Sequence, residues 1–310
     1  MTEKRDTPKH NTPEMEASPQ EITRIVAGAL NEQGYLFHHK VLNVLQPAAS
    51  AATANLPWRV EASEVPVSLP NGDETRIDLV LRLGKVENSP WRVVMECKRA
   101  AREFKHWVFF GNTPWRRGPS PNNYYIQRAD LHSGWNNQGK PPLLHRVDTC
   151  PATSDCPVYD YGVEVRLNRK GSNDKSSATE AIENSFQQVT LGQAGLALRL
   201  WSACELNFRF LPVVVTTANL MSARIPVEKV SLDHGKIEPA NLMLEPRNWL
   251  AVNFRVNDGV CQHSQITTHA RTALAEDLAA RQVRTVFVVQ SAHIQPFLIW
   301  LDSVFQTAVR

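Results

Sequence analysis

The fold is decided by two stretches of the chain, TRIDLVLRL at residues 75–83 and WRVVMECK at residues 91–98. Alternating apolar residues in the first and a nearly continuous apolar run in the second predict two neighbouring β-strands. Side chains alternate between the faces of a strand, so Glu96 and Lys98 share one face and Cys97 points to the other. We therefore expect Asp78, Glu96 and Lys98 to converge at the end of a small sheet.

These three charges suggest a chemistry. Burying charges at the end of a core strand is costly unless they are paired or bind a metal. Two carboxylates supply the hard oxygen ligands that Mg²⁺ prefers, and an ammonium beside them suits hydrolysis of a phosphodiester. The alternative is ordinary: Asp78 is a strand-edge acid beside a turn, and Glu96 and Lys98 form an exposed ion pair.

The flanking sequence predicts the remaining core elements. Residues 59–69 read as a strand, at an edge because of Pro66, and end at the turn sequence Pro70-Asn71-Gly72-Asp73. A first helix is predicted over 19–30, with Ser18 as N-cap, resuming after Gly34 as far as Leu45. A long second helix over 178–201 and a buried strand over 210–217 follow.

This order of elements and the Asp78, Glu96-Cys97-Lys98 pattern resemble the PD-(D/E)xK, or restriction-endonuclease-like, nuclease superfamily. Ile77 stands where the nominal motif has proline, a frequent departure that removes no ligand. The resemblance implies an α/β core of helix, three strands, helix and strand, with a long insertion and a C-terminal strand and helix extension. It implies that Asp78, Glu96 and the backbone carbonyl of Cys97 bind Mg²⁺, for which Mn²⁺ substitutes, and that Lys98 positions or deprotonates the attacking water.

The same resemblance implies two further positions. Members often carry a glutamine early in the second helix, and Gln188 is the preferred candidate over Gln187; both are equally readable as solvated helix residues. Many members place a glutamate on the first helix, where this chain has His38 and His39. Either Glu32 provides this ligand or the ligand is absent. The two histidines are interpreted as surface or satisfied polar residues.

Contacts with DNA have to rest on the placement of charge, because the formal net charge is only +3. Residues 100–175 interrupt the core, and an extra strand is predicted within them over 161–167. The segment mixes cations with aromatic rings, as a surface that binds phosphates and stacks on bases would. The candidate DNA-binding residues are Arg99, Arg102, Lys105, Arg116 and Arg117. The alternative is that the aromatic residues, among them Trp107, Phe109, Phe110, Tyr124 and Tyr125, anchor the insertion to the core while the charges keep its surface soluble.

The predicted domain organisation follows from these assignments. It comprises a disordered tail (1–18), a nuclease core (19–99 and 176–220), the insertion (100–175) and a C-terminal extension of the core (221–310). In the extension, residues 249–256 and 285–290 are predicted strands, 270–281 a helix, and 294–305 an apolar helix that packs in the core or forms a homodimer interface. Five scattered cysteines and no membrane-length apolar run predict a cytoplasmic protein with reduced thiols.

Together these expectations predict a Mg²⁺-dependent endonuclease that hydrolyses DNA, most readily double-stranded DNA. By analogy it would serve prokaryotic antiphage defence, as a restriction enzyme or as an effector subunit released by a sensor ATPase. Two alternatives remain open at this stage. One is a non-catalytic nucleic-acid-binding or scaffold subunit with the same fold, and the other is a nuclease for RNA or single strands.

Overall fold

The computed structural model shows a mixed α/β protein built around one large sheet. By contact the chain divides into two units, residues 1–36 and 37–310. The residues that the structure describes are 18–32, 34–46, 56–69, 72–84, 89–111, 122–131, 143–166, 177–202, 208–256 and 282–307.

The first unit contains helix α1, Pro19–Glu32. The Ser18 side-chain oxygen accepts a hydrogen bond of 3.2 Å from the Glu21 backbone N–H, so the predicted N-cap is confirmed. Helix α2, Tyr35–Leu45, begins at the end of this unit and continues into the second.

The large sheet begins with an antiparallel meander of β1 (Trp58–Ser68), β2 (Glu74–Leu83) and β3 (Trp91–Lys98). β1 lies at the edge of the sheet, which confirms the position predicted from Pro66. Helix α3, Glu180–Ser202, precedes β10, Phe208–Thr216, which lies parallel to β3. Each of these elements lies within two residues of the predicted boundaries.

The sheet continues beyond β10 with strands from the C-terminal part of the chain. β14 (Val283–Gln290) is parallel to β10, and β13 (Trp249–Arg255) is antiparallel to β14. The short β7 (Val158–Tyr159) closes this edge. The extension therefore adds strands to the core sheet. The helix predicted over 270–281 lies outside the described residues.

Two apolar layers cover the large sheet. On one side, α2 and the C-terminal helix α4, Ile294–Thr307, pack with Leu79, Leu81 and Met95. On the other side, α3 packs with Val80, Val94 and Val214. The α4 residues Phe297, Leu298 and Leu301 are fully buried. This helix therefore packs in the core, which is the first of the two alternatives predicted for it.

The segment 100–175 contributes strands to the large sheet and to a second sheet. β5 (Asn123–Leu131) and β6 (Leu143–Pro151) form a hairpin whose first strand pairs with β10. A second sheet has the order β12-β11-β4-β8-β9. Its strands are β4 (His106–Phe110), β8 (Tyr161–Val165), β9 (Ser177–Ala178), β11 (Asn219–Arg224) and β12 (Met243–Arg247). The predicted extra strand over 161–167 is confirmed, whereas the other four strands were not predicted.

Candidate active site

Asp78 and Glu96 lie where β2 and β3 begin to separate. The antiparallel register between these strands ends at Leu79 and Met95, and continuing it by one position places Asp78 opposite Glu96. Directly opposite residues of an antiparallel pair share a face and lie close together. Glu96 is 9% exposed, and Asp78 is half-buried. The two acids therefore stand together in a largely desolvated position, as the sequence predicts.

The backbone of Cys97 is tied to Asp78. The Cys97 N–H donates a hydrogen bond of 2.7 Å to the Asp78 Oδ2 atom. In a strand, the N–H and C=O of one residue point to the same neighbouring strand. The Cys97 carbonyl therefore points towards β2, beside the Asp78 carboxylate, at a place where the ladder between the two strands has ended. This is the placement that the predicted backbone ligand requires.

The pKa values of both acids are raised, because nearby positive charge does not offset their burial and the repulsion from neighbouring acids. Burial, followed by repulsion from Asp78, raises the pKa of Glu96 from its usual 4.5 to about 8, although Lys98 acts in the opposite direction. The pKa of Asp78 is also raised, mainly by burial, against the hydrogen bond from Cys97. A divalent cation between the two carboxylates would remove both the repulsion and the burial cost.

Lys98 supplies positive charge on the Glu96 side of this site. It lies two residues after Glu96 on β3, pairs in register with Thr216 of β10, and is half-buried. Its ammonium lowers the pKa of Glu96, which indicates that the two head groups influence each other. Among the described residues neither Asp78 nor Glu96 forms an ion pair. Lys98 is therefore close enough to influence Glu96 without being bound to either acid.

Glu64 is a third acid that sequence reasoning did not single out. Ser63 pairs with Leu79 and Val65 with Ile77, so Glu64 of β1 lies opposite Asp78. Its φ of 52° is unusual for a residue with a side chain and marks a local distortion of β1. Its negative charge raises the pKa values of both Asp78 and Glu96. The sequence signal was weak, because Glu64 looks like one more outward residue of an alternating strand.

Two side chains hold Glu64 in place. His38 Nδ1 lies 2.8 Å from Glu64 Oε1, and Arg76 Nε lies 2.8 Å from Glu64 Oε2. His38 comes from α2, and its Nε2 atom is buried without a hydrogen-bond partner among the residues described. His38 is therefore a half-buried polar residue that is paired through one ring nitrogen. This histidine connects α2 to the acids of the sheet.

The donor set fits a divalent cation of the magnesium type. In the described part of the chain there is no group of three His, Cys, Asp or Glu side chains that could hold a metal ion. Mg²⁺, however, is commonly bound by one or two carboxylates, with waters and substrate phosphates completing its shell. Asp78, Glu96 and the Cys97 carbonyl are oxygen donors of this kind, and neither carboxylate forms an ion pair with another described residue.

The alternation predicted for β2 fails at Asp78. Leu79 and Leu81 pack in the layer of α2 and α4, as expected for one face. Ile77 instead packs with Val80 in the layer of α3, where it lies against Gly192. The prediction that Ile77 shares a face with Leu79 is therefore wrong. The change of side occurs at Asp78, opposite the distorted Glu64.

The two less certain ligands are not joined to the acids by any described contact. Gln188 lies on α3, one turn before Gly192, and its side chain is exposed. Glu32 is the last residue of α1, and its side chain lies outside the described residues. Both stay predictions.

The candidate DNA-binding residues lie just after the site where they are described. Arg99, Arg102 and Lys105 are exposed in the loop that joins β3 to β4. Arg116 and Arg117 lie outside the described residues. The aromatic residues of this segment behave differently: Trp107, Phe109, Tyr124 and Tyr125 are buried in the core. For these four, the anchoring interpretation is correct and the stacking interpretation is wrong.

Comparisons with known proteins assign no relative to this chain. No family model, curated protein or solved structure matches it. Among the described helices, none is both long and apolar enough to cross a membrane. The described cysteines, Cys97, Cys150 and Cys156, are free thiols.

Proposed function

We propose that this protein is a Mg²⁺-dependent nuclease of the PD-(D/E)xK type that hydrolyses phosphodiester bonds of DNA, with Asp78, Glu96 and Lys98 at its catalytic centre. The observation that carries the proposal is the pair of desolvated carboxylates, opposite each other on β2 and β3, with no ion pair to either among the residues that the structure describes. A protein gains nothing in stability from such a pair. A bound divalent cation would explain the pair, because its charge would neutralise both carboxylates.

The arrangement of elements supports the same proposal. The predicted order of helix, three strands, helix and strand is present, and β10 lies parallel beside β3 after the α3 crossover. Asp78 comes from β2, and Glu96 and Lys98 from β3, as the resemblance requires. Fold analogy alone does not establish an activity, so the argument rests on the acids and uses the topology as support.

Each group has a defined task in this proposal. Asp78, Glu96 and the Cys97 carbonyl would bind Mg²⁺, which polarises the scissile phosphate and lowers the pKa of an attacking water. Lys98, beside Glu96, would position that water and stabilise the charge that develops on phosphorus. The exposed cations Arg99, Arg102 and Lys105 would contact the phosphates on either side of the cleaved bond.

The biological setting is proposed by analogy. A DNA endonuclease of this type fits prokaryotic antiphage defence in the cytoplasm, as a restriction enzyme or as an effector controlled by a sensor subunit. A homo-oligomer would allow both strands of a duplex to be cut.

Plasmid digestion with Mg²⁺ tests the activity. We expect Asp78→Ala, Glu96→Ala and Lys98→Ala each to lower the cleavage rate at least about a hundredfold, because metal and charge stabilisation supply several kcal/mol to such reactions. Glu61→Gln is the matched control: Glu61 is an acid of the neighbouring β1, but it is bound to Arg92. Equal cleavage by wild type and the three site variants would remove the assigned site. Parallel digestion of RNA and single-stranded DNA identifies the substrate.

A further inference from the structure

The second sheet carries a cavity that the proposed nuclease chemistry does not use. Its volume is about 820 Å³, within the range of small-molecule sites. It lies at the ends of β4 and β11 that are distant from the acids, and the segment 225–237 forms one wall. Along β11, the distance from Asn219, which pairs with the start of β4, to Arg224 at the cavity is roughly 16 Å at about 3.3 Å per residue.

One wall of the cavity is aromatic. Phe110 and Tyr161 are cross-strand partners on β4 and β8, and their ring centroids are 5.6 Å apart with an interplanar angle of 32°. Tyr161 is 54% exposed, although it is a large ring on a strand of the second sheet. Gly111, with φ of 83°, lets the chain pass close to this ring, since a Cβ there would lie 2.8 Å from it. An aromatic ring that packs against a neighbouring ring and is exposed to solvent can stack on a base.

Another part of the cavity lining is basic. Arg224 and Arg247 line the cavity together with the acid Glu245. Arg247 is occupied, because it forms an ion pair with Glu245 and donates a hydrogen bond of 3.0 Å to Ser222 Oγ. Arg224 is exposed and has no ion pair or hydrogen bond of its side chain within the described residues. The cavity therefore offers one uncommitted guanidinium, the group best suited to bind a phosphate.

We propose that this cavity binds a nucleotide, with the base stacked on Tyr161 and the phosphate held by Arg224. A planar, uncharged base would stack on the aromatic residues, and an anionic phosphate would pair with the Arg224 guanidinium. The apolar residues Ile225, Val227 and Ile237 also line the cavity and offer contacts to the base. The nucleotide is either free or part of a nucleic-acid strand that passes over the second sheet. The proposal goes beyond the nuclease activity and does not depend on Asp78 or Glu96.

Calorimetric titration of the full chain in EDTA tests the proposal without cleavage. The probes are the four deoxynucleoside monophosphates, a single-stranded ten-nucleotide DNA of mixed sequence, and inorganic phosphate. We expect Tyr161→Ala to weaken binding about tenfold or more, from roughly 1–3 kcal/mol per stacked base. Tyr161→Phe keeps the ring and should bind as wild type does. Arg224→Ala should weaken binding to a similar extent.

Lys236→Ala is the control for charge alone. Lys236 is an exposed cation between the cavity residues Gly235 and Ile237, but it does not line the cavity, so its removal should leave binding unchanged. Binding of monophosphates with this pattern supports the proposal and identifies a free nucleotide. The same pattern with the oligonucleotide alone supports it and identifies a strand.

Three results would overturn the proposal: no binding of any nucleotide probe, binding that Tyr161→Ala leaves intact, or equal losses in Arg224→Ala and Lys236→Ala. Thermal melting of each variant checks that it is folded, which is expected because both Tyr161 and Arg224 are exposed. Nucleotide binding combined with absence of cleavage under Mg²⁺ would count against the nuclease proposal alone.

Discussion

Two groups of acids on the large sheet are treated in opposite ways. Glu61 forms a paired contact with Arg92, with distances of 2.6 Å to Nε and 3.2 Å to Nη2, and Asp148 is contacted by Arg128 and Arg209. Asp78 and Glu96, which are no more exposed, have no such partner within the described residues. The chain therefore pairs other half-buried acids with guanidinium groups, but among the described residues it forms no such pair with Asp78 or Glu96.

This difference distinguishes structural from functional acids. The guanidinium of Arg92 is itself held in place by the Ser89 and Trp91 carbonyls and lies 5.0 Å from the Phe208 ring centroid, so the pair with Glu61 is part of the packing. Asp78 and Glu96 instead have raised pKa values, mainly because they are buried. Sites with strongly perturbed, uncompensated acids are often the ones that act on a substrate or metal.

Metal binding should separate the two groups most strongly. We expect Mn²⁺ to bind wild type, and Asp78→Asn and Glu96→Gln to reduce its affinity at least about a hundredfold, since each removes one of two charged ligands. Glu61→Gln should leave the affinity unchanged. Isothermal titration calorimetry measures all four proteins. Equal Mn²⁺ affinity in wild type and Glu96→Gln would show that the acids are not ligands.

Stability should respond in the opposite order. Glu96→Gln removes a carboxylate whose ionised form is penalised by burial, so we expect the free energy of unfolding in EDTA at pH 7 to rise by about 2 kcal/mol. Glu61→Gln breaks a partly exposed pair and leaves Arg92 without its partner, so it should lower this free energy by about 1–2 kcal/mol. Urea denaturation followed by circular dichroism measures both. A loss of stability in Glu96→Gln would mean that its carboxylate is satisfied in the fold.

The sequence was informative where structure is local and less so where it depends on distant partners. Apolar periodicity predicted β1, β2, β3, α3 and β10, because each is long and its burial pattern is regular. The second sheet was missed except for β8. Its strands β4 and β11 are short and pair with each other across more than a hundred residues, and β12 is mostly exposed, so no local pattern marks them.

The site shows the same division. Asp78, Glu96 and Lys98 were identifiable because charges interrupt apolar strands at a recognisable spacing. Glu64 and His38 were not, because their connection to the site arises from the register of β1 on β2 and from an ion pair between α2 and β1. The cavity near Tyr161 was equally hidden, since its residues come from β4, β8 and β11 and from the segment after β11.

The measurement that isolates Glu96 is the pH dependence of stability, whose effect is smallest when it is taken per pH unit. Its folded pKa of about 8 lies above the usual 4.5, so between these values the folded state holds a proton that the unfolded state has released. The free energy of unfolding in EDTA should therefore fall as pH rises from 5 to 8, by up to about 1.4 kcal/mol per unit from this group, and level off above pH 8.

The variants decide whether this slope belongs to the unpaired acids. Glu96→Gln removes the titrating group, so its curve should be flatter than that of wild type. Glu61→Gln should keep the wild-type slope at lower overall stability. Saturating Mn²⁺ should abolish the wild-type slope, because binding requires both carboxylates to be ionised and thus shifts their titration to lower pH. A wild-type curve no steeper than that of Glu96→Gln would show that Glu96 does not cause the slope. The contrast between the two groups of acids would then be lost.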